Sequence, residues 1–289
     1  MKRVQMYVSE EYFGRSDCST NYLYQEMLKH PDEFQADITT EPDPELARDA
    51  DIVFCRFEKP LKKDFLRALA ALDDGKMFIN HPIAKMEECS KRNLRYFIGT
   101  DLIPKTCISS DPDELIEFAF SLEGRLISKP VDLQGGKGVE RHDPHTMSTE
   151  DVYALAERVT GGWQEDVVFQ QYIDGVEKLG DKRITVFMYE PINAILRVPE
   201  GDNFLCNLSS GGHSEPAEIT DRDREVIEGI TPMLREKGIL WAGADLIGGY
   251  LSELNISSPG MLVEADQLYG NTAGRDKVIA LLKQYKGNR

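Results

Sequence analysis

The chain reads as an α/β unit followed by α+β units, and three observations predict that class. The strand-like stretches RVQMYV (3–8) and DADIVFCRF (49–57) alternate with helical ones, the pattern of a doubly wound parallel sheet. From residue 106 the alternation gives way to a small α+β unit, then to two strands in succession and a hairpin. The chain has 289 residues, 41% of them apolar, enough for two or three lobes and too apolar for a disordered chain.

Each element has its own signal. After the first strand the loop EEYFGRSDCST is polar, and residues 19–30 look helical. DADIVFCRF is almost continuously apolar, as expected of a strand covered on both faces. LKKDFLRALAAL (61–72) is a helix, Asp73-Asp74-Gly75 stops it, and KMFIN (76–80) is the next strand. Residues 83–98 read as one helix carrying Lys85, Lys91, Arg92 and Arg95, and Pro104 marks a break. TCIS (106–109) opens the next unit, and the helix DPDELIEFAFSL (111–122) places acids in its first turn, where the helix dipole favours them. The strand RLISKP (125–130) runs into the loop DLQGGKGVE. A helix over 148–159 ends at Gly161-Gly162, and VVFQQYI (167–173) is a strand. DKRITVFMY (181–189) and INAILRVP (192–199) are two more, and a loop over 200–218 separates them from a helix capped by Thr220 and stopped by Gly238. A short amphipathic helix, DKVIALLKQY, ends the chain. These breaks predict lobes at 1–104, 105–173 and 174–289.

The stretch WAGADLIGGYLSELNISSPG (241–260) reads as two strands about a glycine turn. A two-residue Gly248-Gly249 turn would set Asp245 opposite Ser252 and put Glu253 on the other face. A three-residue loop, Gly248 to Tyr250, sets Asp245 opposite Glu253, with Asn255 on the same side. Two carboxylates and an amide oxygen on one face suit Mg²⁺ that also touches phosphates. Read alone, the hairpin is better taken as an ordinary one with solvated acids on its wet side.

Composition narrows the functions. A formal net charge of −16 argues against nucleic acid or an anionic membrane as partner, since both call for concentrated positive charge. No apolar run approaches the ~20 residues of a membrane span. The N-terminus lacks a signal peptide's apolar core. The five cysteines are scattered without a CxxC pair, which points to a reducing cytoplasm and neither a disulfide framework nor a zinc site. There is no GxGxxG after the first strand, no GxxxxGK[ST], no HExxH and no GxSxG.

Several smaller signals remain. The loop Gln134-Gly135-Gly136-Lys137-Gly138 follows a strand and can turn successive N–H groups toward a phosphate; a mobile surface loop reads the same way. Lys129 ends the strand before it, placed to neutralise phosphate charge. Lys91 lies in a basic helix whose plain reading is a solvated face. Arg183 and Arg197 sit on consecutive strands, suited to forked recognition of carboxylates or to a cross-strand ion pair. The segment 199–213 has the length of a lid, with Gly211-Gly212 as hinge and His213 just beyond, within reach of a phosphate. Gln170 to Ile173 stand between strand and next lobe, as a hinge would.

Taken in order, these signals resemble the ATP-grasp superfamily, and in detail its prokaryotic-type glutathione synthetase family. The matching stretches are KPVDLQGGKGV, VFQQYIDG…GDKRITVF, LRVPEG…CNLSSGGHSEP and LREKGILWAGADLIGGYLSELNISSP, with DADIVFCRFEKP and INHP extending the likeness into the first lobe. The resemblance implies a three-lobe ATP-grasp enzyme with an N-terminal doubly wound parallel-sheet domain, and ATP held between two antiparallel sheets. It implies Lys91 and Lys129 on ATP phosphates under the 134–138 loop, adenine contacts from Gln171, Tyr172 and Ile173, and a ribose contact from Asp181. Asp245, Glu253 and Asn255 would hold Mg²⁺, with Mn²⁺ as substitute. Arg183, Arg197, Asn255, Ser257 and Ser258 would bind γ-glutamylcysteine, with Arg183, Arg197 and Lys129 catalytic. The implied reaction joins that acid to glycine through an acyl phosphate in a cytoplasmic homo-oligomer. Another ATP-grasp ligase with a different acid or amine is the nearest alternative, an inactive nucleotide-binding protein the next. His213 stands where the family has arginine.

Overall fold

The computed structural model describes residues 1–200, 206 and 211–285. Its first sheet is four-stranded and parallel, in the order β2-β1-β3-β4. The strands are β1 (Lys2–Val8), β2 (Phe34–Thr39), β3 (Ile52–Arg56) and β4 (Met77–Ile79). Every residue of β3 is buried because both faces are covered. On one face Val4, Met6 and Phe54 meet Leu23 and Met27 of α1 (Ser19–Met27) and Val278 and Leu282 of α9 (Ala273–Gln284). On the other, Tyr7, Val53 and Cys55 meet Phe65, Leu66 and Leu69 of α2 (Lys63–Ala70). The last helix of the chain thus completes the first layer. β2 was not expected; it is an edge strand half open to water, and its polar residues mask the alternation of Phe34, Ala36 and Ile38.

The helix expected over 83–98 is two elements. α3 (Pro82–Glu88) stops at Cys89, and a 3₁₀ segment over Lys91–Phe97 begins where Ser90 accepts a hydrogen bond from the Arg92 amide. This break buries Lys91 rather than leaving it on a wet helix face.

The second sheet is antiparallel, in the order β5-β8-β6-β7. It comprises β5 (Thr106–Ser109), β6 (Leu126–Pro130), β7 (Glu140–His142) and β8 (Val167–Gln171). Helices α4 (Pro112–Ser121) and α5 (Thr149–Val159) close a core of its own, with Leu115, Ala119, Val152 and Leu155 against Leu126 and Phe169. Asp111 caps α4, and Ser148 with Asp151 forms a capping box on α5.

The third sheet, β11-β10-β9-β12-β13, is antiparallel as well. After a single turn, α6 (Val176–Leu179), come β9 (Asp181–Phe187) and β10 (Glu190–Val198). β11 (His213–Pro216) was missed within the expected loop; it pairs His213 with Val198, so the lid reading can hold only upstream of it. Most of the 199–213 stretch lies outside the described residues. α7 (Asp221–Glu236) takes the Thr220 cap as expected and packs Val226, Ile227 and Ile230 on Ile184, Ala244 and Leu246. β12 (Trp241–Ile247) and β13 (Tyr250–Asn255) form the hairpin, and the unforeseen α8 (Leu262–Leu268) leads into α9.

Candidate functional site

The hairpin reaches the expected face by an unexpected route. Gly248 and Gly249, at φ 57° and 81°, make a two-residue turn, the geometry that needs positive φ at both central positions. Ile247 then pairs with Tyr250 and Leu246 with Leu251, until a register shift sets Asp245 opposite Glu253. Ser252 is the extra residue of a β-bulge, which re-aims its side chain and restores the pairing that a three-residue loop would have produced. Gly243 pairs with Asn255, so the oxygens of Asp245, Glu253 and Asn255 share one face. The Asn255 Nδ2 donates to Asp245 Oδ2 at 3.1 Å.

Asp245 is also the meeting point of the two arginines. Arg183, its neighbour across β9, donates to it through Nε and, at 2.8 Å, through Nη2. Arg197, 3% exposed, reaches Asp181 at 2.5 Å and Asp245 at 3.0 Å through one Nη2. Burial opposes ionisation of Asp245, but the Arg183 and Arg197 charges override it and hold the carboxyl at about 2. Burial, aided by the Asp245 charge and opposed by Arg197, pushes Asp181 up to about 6. The arginines expected on a substrate therefore lie here against the protein's own carboxylates. Asp181 Oδ1, buried, has no hydrogen-bond partner among the described residues.

The second sheet supplies the opposing wall. Lys129 Nζ donates to Gln170 Oε1 at 2.7 Å and to Ser252 Oγ at 3.0 Å, so the bulged serine ties the lysine to the hairpin. Burial lowers Lys129 to about 8, partly offset by Glu253. Lys91 bonds the Leu133 carbonyl and stands 3.6 Å from Glu253 Oε1. Gly135, Gly136 and Gly138 of the intervening loop all have positive φ, and a Cβ on Gly138 would strike the Pro130 ring at 2.8 Å. Gln134, Gly135 and Gly136 face the cleft, whereas Lys137 is exposed and lines no part of it. At the hinge, the Gln171 and Tyr172 amides are taken by the Lys105 and Arg125 carbonyls, each at 2.8 Å.

These walls enclose two adjoining compartments. The first, about 760 Å³, is lined by Lys129, Gln171, Tyr172, Ile173 and Asp181, with apolar Ile127 and Ile247. The second, about 750 Å³, is lined by Arg183, Asn255, Ser257, Ser258 and the edge of the glycine loop. Lys91, Asp245 and Glu253 belong to both. His213 is not among them; it is exposed and pairs with Glu215 at 3.0 Å.

Among the described residues no group of three or more His, Cys, Asp and Glu is arranged to hold a metal ion. The oxygen-only set of Asp245, Glu253 and Asn255 still fits a hard dication, with Glu253 a ready ligand and Asp245 exchanging an arginine contact for it.

Sequence reasoning missed the residues that hold this site in place. Buried side chains from residues 56–93 grip backbone carbonyls just after the hairpin's acids. Asn93 bonds the Leu254 carbonyl at 2.9 Å, Asn80 that of Ile256 at 2.9 Å, and Arg56 that of Pro259 at 2.8 Å. Fully buried Lys85 joins the Ser257 carbonyl to that of Cys55. Asn80 also accepts the amides of Leu240 and Trp241 at 2.8 and 2.6 Å, and the Arg56 guanidinium lies 3.9 Å from the centre of the Trp241 ring system. The second sheet meets this body through an apolar seam, with Ile127 and Tyr172 beside Val176 and Ile247, and through charge, Arg92 pairing with Asp132, Glu165 and Asp166 and Lys59 with Asp132.

A family model, the ATP-grasp domain of prokaryotic glutathione synthetase, matches residues 93–270. A relative named glutathione synthetase from Thermosynechococcus vestitus is 33% identical over 234 residues, 80% of this chain and 71% of that one. One of the same name from Pseudomonas syringae pv. tomato is 31% identical over 262 residues, 89% and 78% of the two chains. Among solved structures, D-cycloserine synthetase DcsG superposes with a TM-score of 0.68 at 16% identity, covering 96% of this chain and 99% of that one. A D-alanine–D-alanine ligase from Bacillus anthracis gives 0.60 at 18%, covering 98% and 97%. At such identities the structural likeness carries the fold alone.

Proposed function

Because the chain belongs to the prokaryotic-type glutathione synthetase family of ATP-grasp ligases, we propose that it joins the cysteinyl carboxylate of γ-glutamylcysteine to the amine of glycine. ATP becomes ADP and phosphate in the process. The observation that carries this reading is the face of Asp245, Glu253 and Asn255, set between Lys91 and Lys129 on one side and Arg183 on the other.

A carboxylate resists attack because its charge repels a nucleophile and oxide is a poor leaving group. Transfer of the γ-phosphoryl group to the cysteinyl oxygen releases ADP and makes an acyl phosphate. Glycine's amine then attacks the acyl carbon, phosphate departs, and the amine gives up its proton. Lys129 and Lys91 neutralise phosphate oxygens, and the 134–138 loop offers its amides to them. The first compartment takes the nucleoside, with adenine at Gln171, Tyr172 and Ile173 and ribose at Asp181 Oδ1. Arg183 and Arg197, with Asn255, Ser257 and Ser258, orient the acid. Mg²⁺, or Mn²⁺ in its place, held by Asp245, Glu253 and Asn255, would stabilise the charge that develops on the phosphoryl oxygens.

The three sheets correspond to lobes 1–104, 105–173 and 174–289 in this reading. Among the described residues no helix is long and apolar enough to cross a membrane. A cytoplasmic protein without a nucleic-acid partner accords with the charge and cysteine pattern, and the homo-oligomer follows from the family resemblance alone. ADP release measured with γ-glutamylcysteine and a panel of amines (glycine, β-alanine, serine) tests the proposal. ADP released only with an unrelated acid would overturn it.

A further inference from the structure

The face of the second sheet that looks into the cleft carries three polar side chains side by side. Thr106 of β5 pairs directly with Gln170 of β8, and Lys129 of β6 pairs with Val168, two residues before Gln170 on the same strand. Paired residues, and residues two apart, share one side of a sheet, so Thr106, Gln170 and Lys129 stand together. All three are buried, at 7%, 3% and 7% exposed. Gln170 and Lys129 line the first compartment, whereas Thr106 lines neither and lies behind Gln170.

Their hydrogen bonds run in one direction. Thr106 Oγ1 donates its single proton to the Pro104 carbonyl at 2.6 Å, which leaves the oxygen able only to accept. Gln170 Nε2 donates to that oxygen at 2.9 Å. With its amino end so committed, the Gln170 amide turns Oε1 to the Lys129 ammonium at 2.7 Å. Turned over, the same amide would set N–H groups against an ammonium that has only donors, a costly contact in a buried place. Lys129 has three protons and three acceptors: Gln170 Oε1, Ser252 Oγ at 3.0 Å and the Ser252 carbonyl at 3.2 Å. A phosphate oxygen has to displace one of them. Ser252 belongs to the hairpin on the opposite wall, whereas the Gln170 bond is the shortest of the three and lies within the lysine's own sheet. The Gln170 bond is therefore the one that survives when phosphate enters.

We propose that Thr106 is a positioning residue for nucleotide binding: it fixes which end of the Gln170 amide faces Lys129, and so aims the ammonium at the phosphates without touching them. The inference rests on the nucleotide half of the ligase reading above and deepens it. The same short linker supplies the Lys105 carbonyl that takes the Gln171 amide. Residues 104–106, on entering the second sheet, thus set both the side chain of Gln170 and the backbone of its neighbour.

Calorimetric titration of the full-length protein with Mg²⁺ and ATP reads this without the acid or the amine. Thr106→Val keeps the shape and removes the acceptor, so the dissociation constant for ATP should rise about tenfold, the scale of a hydrogen bond to a charged group. Thr106→Ser keeps the hydroxyl and should stay within about twofold of the wild type. Gln170→Glu presents an oxygen to Lys129 whichever way it turns, so adding Thr106→Val to it should change the constant by less than about twofold. Thermal melts check that each variant is folded, and Thr106→Ala stands in if Thr106→Val is not. Equal losses from Thr106→Val in both backgrounds, an unaltered affinity, or a Thr106→Ser variant as weak as Thr106→Val would overturn the proposal and leave the ligase reading intact. ADP release by the wild type with γ-glutamylcysteine and glycine is read in parallel. Its absence beside the expected calorimetric pattern overturns the acid and amine assignment alone, and a wild type that binds no ATP overturns both.

Discussion

A Cβ on Gly243 would lie 3.1 Å from the Nη1 of Arg183. The missing side chain, rather than any special backbone angle, is what lets the guanidinium lie over β12 and reach Asp245. Gly243→Ala should displace Arg183 by a few tenths of an ångström and lower kcat by about tenfold or more, since small misplacements of orienting groups are expensive. The melting temperature should change by only a few degrees, so paired ADP-release and thermal measurements separate positioning from folding.

Asp245→Asn is expected to abolish turnover and also to destabilise the protein by about 3–5 kcal/mol, because Arg183 and Arg197 would keep buried charge without their shared partner. The pH dependence has a definite sign. Asp245 is depressed, so its stabilisation is present above the ordinary carboxylate value of 3.8 and is lost as pH falls toward about 2. Denaturant melts of the variant should show a flatter acid limb in that window. An unchanged limb would mean that the arginine contacts contribute no stability.

Lys129 has a linkage of the same sign in a higher window, although here it is the charged form that burial disfavours. Burial lowers it from 10.5 to about 8, so between those values the unfolded chain binds the extra proton and stability rises with pH. ATP, an anion, favours the protonated form, and its affinity should fall as pH climbs through 8. Lys129→Met should remove both trends, which calorimetric titrations of ATP across that range would reveal.

Glu253→Gln retains the shape of the hairpin face and removes half of its carboxylate charge. The Mg²⁺ concentration for half-maximal turnover should rise about tenfold or more, with maximal turnover partly recovered at high Mg²⁺. A chelator should stop the wild type outright.

Asn80→Ala strips partners from the amides of Leu240 and Trp241 and the carbonyls of Trp241 and Ile256 at once. With buried backbone groups left unsatisfied, a loss of about 2–4 kcal/mol is expected in urea melts.

The facing of Asp245 and Glu253 was legible because strand side chains alternate and glycines announce the turn. The bulge was not, since one pairing can be reached by two loop geometries. The succession of β6, ending near Lys129, and the glycine loop was likewise readable from adjacent residues. Arg56, Asn80 and Lys85 were not, because their partners lie 203, 176 and 172 residues away, where no local periodicity reaches. β2 and β11 escaped notice as edge strands whose polar residues blur the alternation.

The grip of Arg56, Asn80, Lys85 and Asn93 on the chain between Leu254 and Pro259 welds the β12–β13 hairpin to the N-terminal layer. Those two parts travel together, so any jaw-like swing that admits ATP or frees the finished tripeptide belongs to the four-stranded antiparallel flap, which keeps its own apolar centre. The flap rests on an apolar seam around Ile127 and Ile247 and on ionic struts from Arg92 and Lys59, and electrolyte weakens the struts while sparing the weld. Raised ionic strength should therefore ease the parting of the jaw without loosening the seat of the hairpin.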